Sequence, residues 1–306
     1  MWLPRALRPE AVRNLRQAMS NRRNLVIVRA GDSSIHPGWL NAPGEERNWD
    51  LIVSYFGDDP DKFRGGDWLR IDGKGPKLRG VYDLVQSHEQ LIRQYEYVWL
   101  AEDDLQCTCQ GINRIFEVCR ERELKLAQPS LTRDSYFGHA IVLHSPSFRL
   151  RYTTFVEIMA PCMNIDTLWR LLPTMNQNVS GWGVDFVWAK MLAGDRLGIA
   201  IVDEVQIRHT RPVGGGTLYD PLKRRGDSPW DEYRAAEKEY GIASHRYWIE
   251  RAIRNSGRPV NDGVWLLCLY GWGLLTAIPR LKQPWTARPR FWLSAMYQQL
   301  KGRPRG

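Results

Sequence analysis

Cysteine is scarce and irregularly placed. The five residues, Cys107, Cys109, Cys119, Cys162 and Cys268, are odd in number and follow no paired spacing. Cys107-Thr108-Cys109 matches neither a zinc knuckle nor a redox motif, and no second pair follows it, which argues against a disulfide scaffold or a cysteine-held metal module. With no evident signal peptide, the expectation is a reducing compartment, the cytoplasm, with structural thiols. Internal repeats and long low-complexity segments are absent. Acidic residues vanish after Asp262, whereas Arg280, Lys282, Arg288, Arg290, Lys301, Arg303 and Arg305 follow it. Those seven account for most of the formal charge of +9 and leave about +2 for residues 1–262. A nearly balanced body with a basic end argues against nucleic acid as the main partner.

What is present is an ordinary globular composition, 43% hydrophobic and 25% charged over 306 residues, long enough to bury a large core. Residues 9–19 carry Val12, Leu15 and Met19 on one helical face. Apolar, β-branched runs at 24–28 and 51–56 predict buried parallel strands. A weaker strand follows at 68–71, then a helix over 83–95 and a strand at 97–100. Ile112, Ile115, Phe116 and Cys119 share a helical face, which places Cys119 in the core. Further strands are expected near 124–127, 139–144 and 153–159. A helix over 166–176 and another opened by Gly181-Trp182-Gly183 precede a late strand, 199–207, that ends near His209. Ser228-Pro229 opens a helix that Gly241 closes. Strands alternating with helices predict an α/β fold with a mostly parallel sheet covered on both faces. The expected division is an N-terminal helix (1–23), an α/β domain (24–225), a helical extension (226–262) and an apolar, basic tail (263–306).

Ligands of such sheets bind beyond the C-terminal ends of the strands. Polar residues recur there: Asp32, Asp58, Asp59, Glu102, Asp103, Asp104 and His209. An apolar strand ending in acid-x-acid suits a divalent cation, since alternate side chains point the same way and hard cations such as Mn²⁺ or Mg²⁺ prefer oxygen ligands. Such a cation stabilises charge developing on a diphosphate leaving group. Glu102 and Asp104 occupy the outer positions; the alternative is a solvated acidic loop. Gly181-Trp182-Gly183-Val184-Asp185 places Asp185 in a first helical turn, sited to take a proton from an acceptor hydroxyl or simply to stabilise the helix. His209 is a further ligand or a structural histidine. Lys74-Gly75-Pro76-Lys77-Leu78-Arg79-Gly80 precedes a helix and either grips phosphate or is a solvated basic loop; it lacks the P-loop spacing.

These elements in this order resemble the family designated domain of unknown function 707. The matching stretches are Leu25 to Trp39 (LVIVRAGDSSIHPGW), Asp50 to Asp59 (DLIVSYFGDD), Lys74 to Asp83 (KGPKLRGVYD), Tyr97 to Asp104 (YVWLAEDD), Phe155 to Ala160 (FVEIMA) and Gly181 to Asp185 (GWGVD). The resemblance covers about residues 24–213. It implies the type-A glycosyltransferase fold, one αβα sandwich that binds a nucleotide-diphosphate sugar. A glycine-tryptophan-glycine turn, an acid and a later metal-binding histidine are also similar to inverting galactosyltransferases. By that likeness Asp104, with Glu102 or Asp103, holds the metal, His209 is a further ligand and Asp185 is the base. Arg29, Asp32, Lys74, Lys77, Glu102 and Asp103 would face the nucleotide sugar. Position 102 is Glu where the resemblance leads one to expect Asp, and the longer side chain would shift the metal or serve the ribose. The implied acceptor is a glycan or a lipid-linked saccharide. The alternative is a module of the same fold that binds nucleotide sugars and transfers nothing.

Residues 263–279 contain no charge, yet at 17 residues with two internal glycines they fall short of the roughly 20 a membrane span needs. With the tryptophans and cations that follow, they predict docking on an anionic membrane surface at the inner face of the cell membrane. The alternative is a helix packed on the domain with a solvated basic tail.

Overall fold

The computed structural model describes residues 22–41, 46–66, 68–176, 179–195, 197–213, 226, 228–242, 246–261, 263–282 and 288–302. The helix expected over 9–19, the glycine run 214–216, and Asp262, Arg303 and Arg305 lie outside them. In chain order the elements are β1 (Asn24–Ala30), β2 (Trp49–Tyr55), β3 (Leu69–Asp72), α1 (Lys77–Ser87), α2 (Glu89–Ile92), β4 (Tyr97–Glu102), β5 (Leu105–Gln106), α3 (Cys109–Glu121) and β6 (Leu126–Leu131). Then come β7 (Phe148–Thr153), β8 (Cys162–Asn164), α4 (Ile165–Leu171), α5 (Val184–Met191), β9 (Ile199–His209), α6 (Pro229–Tyr240), β10 (Ile249–Arg254), β11 (Pro259–Val260), α7 (Gly263–Ala277) and α8 (Arg288–Gly302).

One sheet runs β11-β10-β7-β9-β6-β8-β4-β1-β2-β3, with β5 pairing β9 off this path. β1 pairs in parallel with both β2 and β4, β2 with β3, and β6 with β9. β8 lies antiparallel between β4 and β6, so β6 and β9 still run in the direction of β1 to β4. Every residue of β1 and β2 is buried, as expected of apolar strands covered on both faces. The fold is α/β with a mostly parallel central sheet, and its strands release the chain along one edge at Ala30, Tyr55, Glu102, Leu131 and His209. β7, β10 and β11 extend the sheet with antiparallel pairs.

Several elements differ from the sequence expectation for identifiable reasons. The helix expected over 83–95 starts earlier, at Lys77, and breaks at His88, where φ is −124°. The helix expected over 166–176 tightens into a 3-10 turn from Leu172 to Met175, because Pro173 has no N–H to continue an α-helical ladder. Residues 139–144 hold a 3-10 turn, Ala140–Val142, in place of a strand. The strand expected over 153–159 ends at Thr153; the backbone N–H of Glu157 bonds the Gln128 side chain at 2.7 Å instead of a neighbouring strand. Among the described residues of the helical extension over 226–262 there is one helix, α6, after which β10 and β11 join the central sheet. The tail over 263–306 forms α7 and α8, and α7 buries Leu266, Tyr270, Leu274 and Ala277 in the common core.

A fully buried ion pair locks the antiparallel half of the sheet. Arg151 on β7 donates from Nε and Nη2 to both Asp203 oxygens on β9, at 2.7 and 2.9 Å, and its remaining donors reach the carbonyls of Ile141 and Leu143 at 2.7 and 2.8 Å. The carbonyls that the 3-10 turn leaves unpaired are thereby satisfied, and Asp203 also accepts the Ser145 N–H at 2.8 Å. Removing one partner strands a buried charge, so Arg151→Met is expected to cost about 3–5 kcal/mol in urea unfolding. Adding Asp203→Leu to that variant is expected to recover much of the loss, and equal midpoints for the wild type and Arg151→Met would show that the pair contributes nothing.

Candidate active site

The strand-end edge opens into a cleft of about 1270 Å³ whose lining includes Arg29, Asp32, Lys74, Lys77, Glu102, Asp103, Asp104, Asp185 and His209. Its core is set by β4 and β9. Directly after the acids, β5 pairs antiparallel with the end of β9, and Leu105 stands opposite His209. The Asp104 carbonyl accepts from the Thr210 N–H at 3.1 Å and from its hydroxyl at 2.8 Å. These bonds bring the His209 Nε2 to 3.2 Å from Asp104 Oδ2 and 3.5 Å from Glu102 Oε2. The other ring nitrogen, Nδ1, lies 2.9 Å from the Tyr136 carbonyl, a partner that can only accept, so Nδ1 donates and Nε2 faces the carboxylates.

Glu102, Asp104 and His209 each offer one ligand atom, all within 4.8 Å of one another. Asp104 Oδ1 is buried with no hydrogen-bond partner, an acceptor that a cation would satisfy. The carbonyl behind His209 is the outer-shell bond that metal-ligating histidines use to fix their tautomer. Two carboxylates and one imidazole suit Mn²⁺ or Mg²⁺, so the residues present fit a divalent cation. Burial works against the His209 imidazolium, but hydrogen bonds and attraction from Asp104 and Glu102 outweigh it and raise the pKa to about 10. Burial likewise opposes ionisation of Glu102, yet Lys77 and His209 hold it well below the usual carboxylate range.

Asp103 turns the other way, as alternation along the chain requires. It accepts from the Gly31 N–H at 2.8 Å and from Arg211 at 3.0 Å, which ties the loops after β1 and β9 together and keeps Asp103 out of the Glu102–Asp104–His209 group. Arg29, in register with Glu102 on β4 and Ser54 on β2, is buried. Its guanidinium donates to Ser54 at 3.0 Å and to the Gly75 carbonyl at 2.8 Å, and it stacks over Phe56. It therefore fixes the basic loop before α1. Burial lowers its pKa to about 10. Asp32 is occupied too: Tyr55 donates its hydroxyl to it, and the N–H groups of Asp58 and Asp59 add bonds at 3.0 and 3.2 Å. Lys74 reaches the Phe56 and Gly57 carbonyls and Asp58 near the rim. Lys77, at the start of α1, bonds Glu102 at 3.0 Å and the Ile158 carbonyl.

Asp185 enters from the opposite wall. Gly181 and Gly183 have φ of +84° and +87°, left-handed values that favour glycine. A Cβ on Gly181 would meet Ile158 at 2.2 Å, and one on Gly183 would meet Tyr233 at 3.0 Å. The turn sets Asp185 in the first turn of α5, where the Phe186 N–H bonds it at 3.0 Å. Desolvation pushes its pKa up to about 7. Helix α6 clasps this turn: Glu232 accepts from the N–H groups of Val179 and Ser180 at 2.9 and 2.7 Å, and Trp230 and Tyr233 line the cleft. The segment expected to be an extension is thus a wall of the site.

Glu157 was not singled out as a site residue by its sequence pattern. It is 4% exposed and lines the cleft. One oxygen accepts from the Gly138 and His139 N–H groups at 3.0 and 2.8 Å, and the other, Oε2, is buried without a partner. Desolvation and the charge of Asp185 raise its pKa to about 8. The available signal was an acid inside the apolar run Phe155-Val156-Glu157-Ile158-Met159, a place where a charge is costly without a reason. Arg211, just past His209, gave no such signal.

No protein-family model matches the chain, so the resemblance to the 707 family finds no support there, and no curated protein matches it. Among solved structures it is similar to that titled "Crystal structure of S. aureus TarS", at a TM-score of 0.41 and 9% identity over 91% of this chain. The alignment takes in 53% of TarS, so the chain spans about half the length of that protein.

The geometry makes cation binding measurable without any substrate. A ligand at 100 times its dissociation constant stabilises a fold by about 2.7 kcal/mol, so Mn²⁺ is expected to raise the melting temperature by several degrees. Asp104→Asn and His209→Ala are expected to abolish that rise, while Asp58→Asn, at the rim, retains it. An unchanged melting temperature across an Mn²⁺ titration of the wild type would remove the cation from this site.

Proposed function

We propose that the chain is a metal-dependent glycosyltransferase that moves a sugar from a nucleotide-diphosphate donor to an acceptor hydroxyl with inversion. The observation that carries this reading is that Glu102, Asp104 and His209 share one cleft with a second pair of buried carboxyls, Asp185 and Glu157. One set holds charge and the other handles protons. A divalent cation held by Glu102, Asp104 and His209 supplies neutralisation of the diphosphate. Lys77, at the mouth of α1, adds a fixed positive charge on the same side, and Arg29 holds the loop that presents it. In the transfer, the acceptor oxygen forms a bond to the anomeric carbon. The bond from that carbon to the diphosphate oxygen breaks, and its electron pair leaves with the diphosphate. The hydroxyl proton passes to the Asp185 carboxylate.

Burial pushes both Asp185 and Glu157 well above the usual carboxylate range, and the charge of Asp185 adds to the rise at Glu157, so the two titrate as a pair. Two interacting buried carboxyls do not readily ionise together, so the pair retains one proton as the other is lost; in this reading Asp185, in the first turn of α5, is the one that acts as the base. The acceptor in this reading is a glycan or lipid-linked saccharide, and the work is done in the cytoplasm, at the inner face of the cell membrane.

Two measurements test the assignment. Calorimetry of nucleoside diphosphates is expected to show binding that needs Mn²⁺ and that Asp104→Asn weakens sharply, since a diphosphate beside three carboxylates is otherwise repelled. Equal affinity in EDTA and in Mn²⁺ would sink it. Asp185→Asn is expected to lower turnover by on the order of 10²-fold with little change in donor affinity. Unchanged turnover would leave Asp185 a structural acid. Wild-type turnover should rise with pH through about 7 as Asp185 loses its proton.

Stability follows the opposite sign. Both carboxyls have folded pKa values above the ordinary range, so their contribution is full below about 4 and is lost as pH rises through about 7 to 8. The double variant Asp185→Asn/Glu157→Gln is expected to flatten that decline in chemical unfolding. An identical pH dependence in the variant and the wild type would show that neither group holds an extra proton in the folded state.

A further inference from the structure

We infer that α7 and α8 together form an in-plane foot that docks this protein on an anionic membrane surface, with Trp272, Leu275, Leu293 and Leu300 entering the interfacial layer. The inference stands on the outer faces of these helices and is independent of the chemistry proposed for the cleft. Ten large apolar side chains are exposed among the described residues, and seven of them lie on these two helices. On α7 they are Val264, Trp265, Trp272 and Leu275, between 45% and 73% exposed. On α8 they are Leu293, Tyr297 and Leu300, between 56% and 62% exposed.

At 100° per residue these positions form one stripe on each helix, opposite the buried Leu266, Tyr270, Leu274 and Ala277 of α7 and the buried Ala295 and Gln299 of α8. The two stripes meet at a seam. Trp292 donates from Nε1 to the Gly271 carbonyl at 3.1 Å, and a Cβ on Gly271 would meet Met296 at 3.1 Å. Gly271, Trp292 and Met296 all lie angularly between the buried and exposed stripes of their helices, so the apolar surface continues from one helix to the other. The pair is rigidly mounted. Gln299 bonds both the N–H and the carbonyl of Ile249 on β10, at 2.7 and 3.0 Å, and Arg133 bonds the Thr276 carbonyl and hydroxyl at 2.9 and 3.0 Å.

Charge selects the occupant. No acid occurs from residue 263 onward, while Arg290 and Lys301 flank the α8 stripe and Arg280 and Lys282 follow α7. A second copy packed on this face would bring like charges together with nothing to neutralise them. An anionic bilayer complements the cations, and tryptophan and tyrosine beside arginine and lysine suit its headgroup layer. Among the described residues no helix is long and apolar enough to cross a membrane, so the helices lie in the interface plane.

The full chain is the right test material, because deleting helices whose inner faces belong to the core would unfold it. In flotation with phosphatidylcholine vesicles containing about one-third phosphatidylglycerol, the protein is expected to bind at low salt and to dissociate as salt rises. Trp272→Ser/Leu293→Ser is expected to weaken binding on the order of ten-fold or more, and Arg290→Gln/Lys301→Gln by about twenty-five-fold, roughly five-fold per cation. Each variant must keep the wild-type melting temperature; if Trp272→Ser/Leu293→Ser does not, Leu275→Ser/Leu300→Ser takes its place and removes apolar side chains of the same two stripes. Failure of the wild type to float with anionic vesicles at low salt overturns the inference. So does a wild-type dimer that the Trp272→Ser/Leu293→Ser variant converts to monomer, since a second copy would then cover the face. Mn²⁺ and nucleotide binding are unaffected by either result.

Discussion

Everything in the cleft is arranged around the cost of gathering carboxyl groups in a poorly hydrated space. Glu102, Asp103, Asp104, Glu157 and Asp185 all line it, and all but Glu102 are at most 8% exposed. Such a set cannot ionise together without compensation. The fold meets that demand in three ways. Lys77 and Arg211 stand against Glu102 and Asp103 as permanent cations. His209 faces Glu102 and Asp104 with a nitrogen that either carries a proton or ligates a cation. Glu157 and Asp185, which have no cation of their own among the bonds described above, hold their protons more tightly. Burial and positive neighbours compete at each carboxyl: Lys77 and His209 prevail at Glu102, whereas burial prevails at Glu157 and Asp185 and, despite the Gly31 N–H and Arg211, at Asp103 as well.

Backbone geometry decides which carboxyl belongs to which half. Alternation past β4 sends Glu102 and Asp104 to one side and Asp103 to the other, where the Gly31 N–H receives it. A Cβ on Gly31 would meet Phe56 at 2.9 Å, so the close approach of this loop depends on glycine. On the facing wall two left-handed glycines turn the chain so that α5 starts with Asp185 inside the cleft. Glu232, far along the chain, holds that turn by two backbone N–H groups. The site is thus closed by a helix that follows the last parallel strand, and its shape depends on the segment after residue 226 as much as on the sheet.

The local patterns that were legible in the sequence are those in which one short stretch carries both its conformation and its chemistry. Buried parallel strands show as β-branched runs, and Tyr97-Val98-Trp99-Leu100 followed by three acids locates a strand end and its cluster of carboxylates in one reading. The structure places His209 beside that triplet, as its position after the late strand suggested. Pairing between distant segments was not legible. Nothing local in Leu105-Gln106 announces that it will pair with β9, yet that pairing sets His209 opposite Leu105. Arg29 and Asp32 sit at the expected strand end, but the Nη1 and Nη2 groups of Arg29 and the carboxylate of Asp32 are engaged by their surroundings, a fact that depends on Tyr55, Ser54 and Gly75. Glu157 was hidden because the apolar residues around it read as a strand, whereas the chain there leaves the sheet and turns its backbone N–H to Gln128.

The C-terminal zone shows why a break in composition need not be a break in the fold. Residues 263–277 contain no charge, and a helix apolar on every side has no polar face from which its orientation could be read. Composition alone therefore could not separate a detached anchor from a packed helix. Packing separates them: Gly273 lies so close to Ser145 that a Cβ would come within 2.8 Å of its hydroxyl, and Tyr270 is 2% exposed against Arg151. One side of α7 thus belongs to the same core as the Arg151–Asp203 pair, and through β7 and β9 to the sheet that carries His209. The other side remains apolar with no core left to enter. A helix that serves two apolar environments at once needs no polar face, and that is the physical reason its sequence looks like a membrane segment while its inner half is part of the domain.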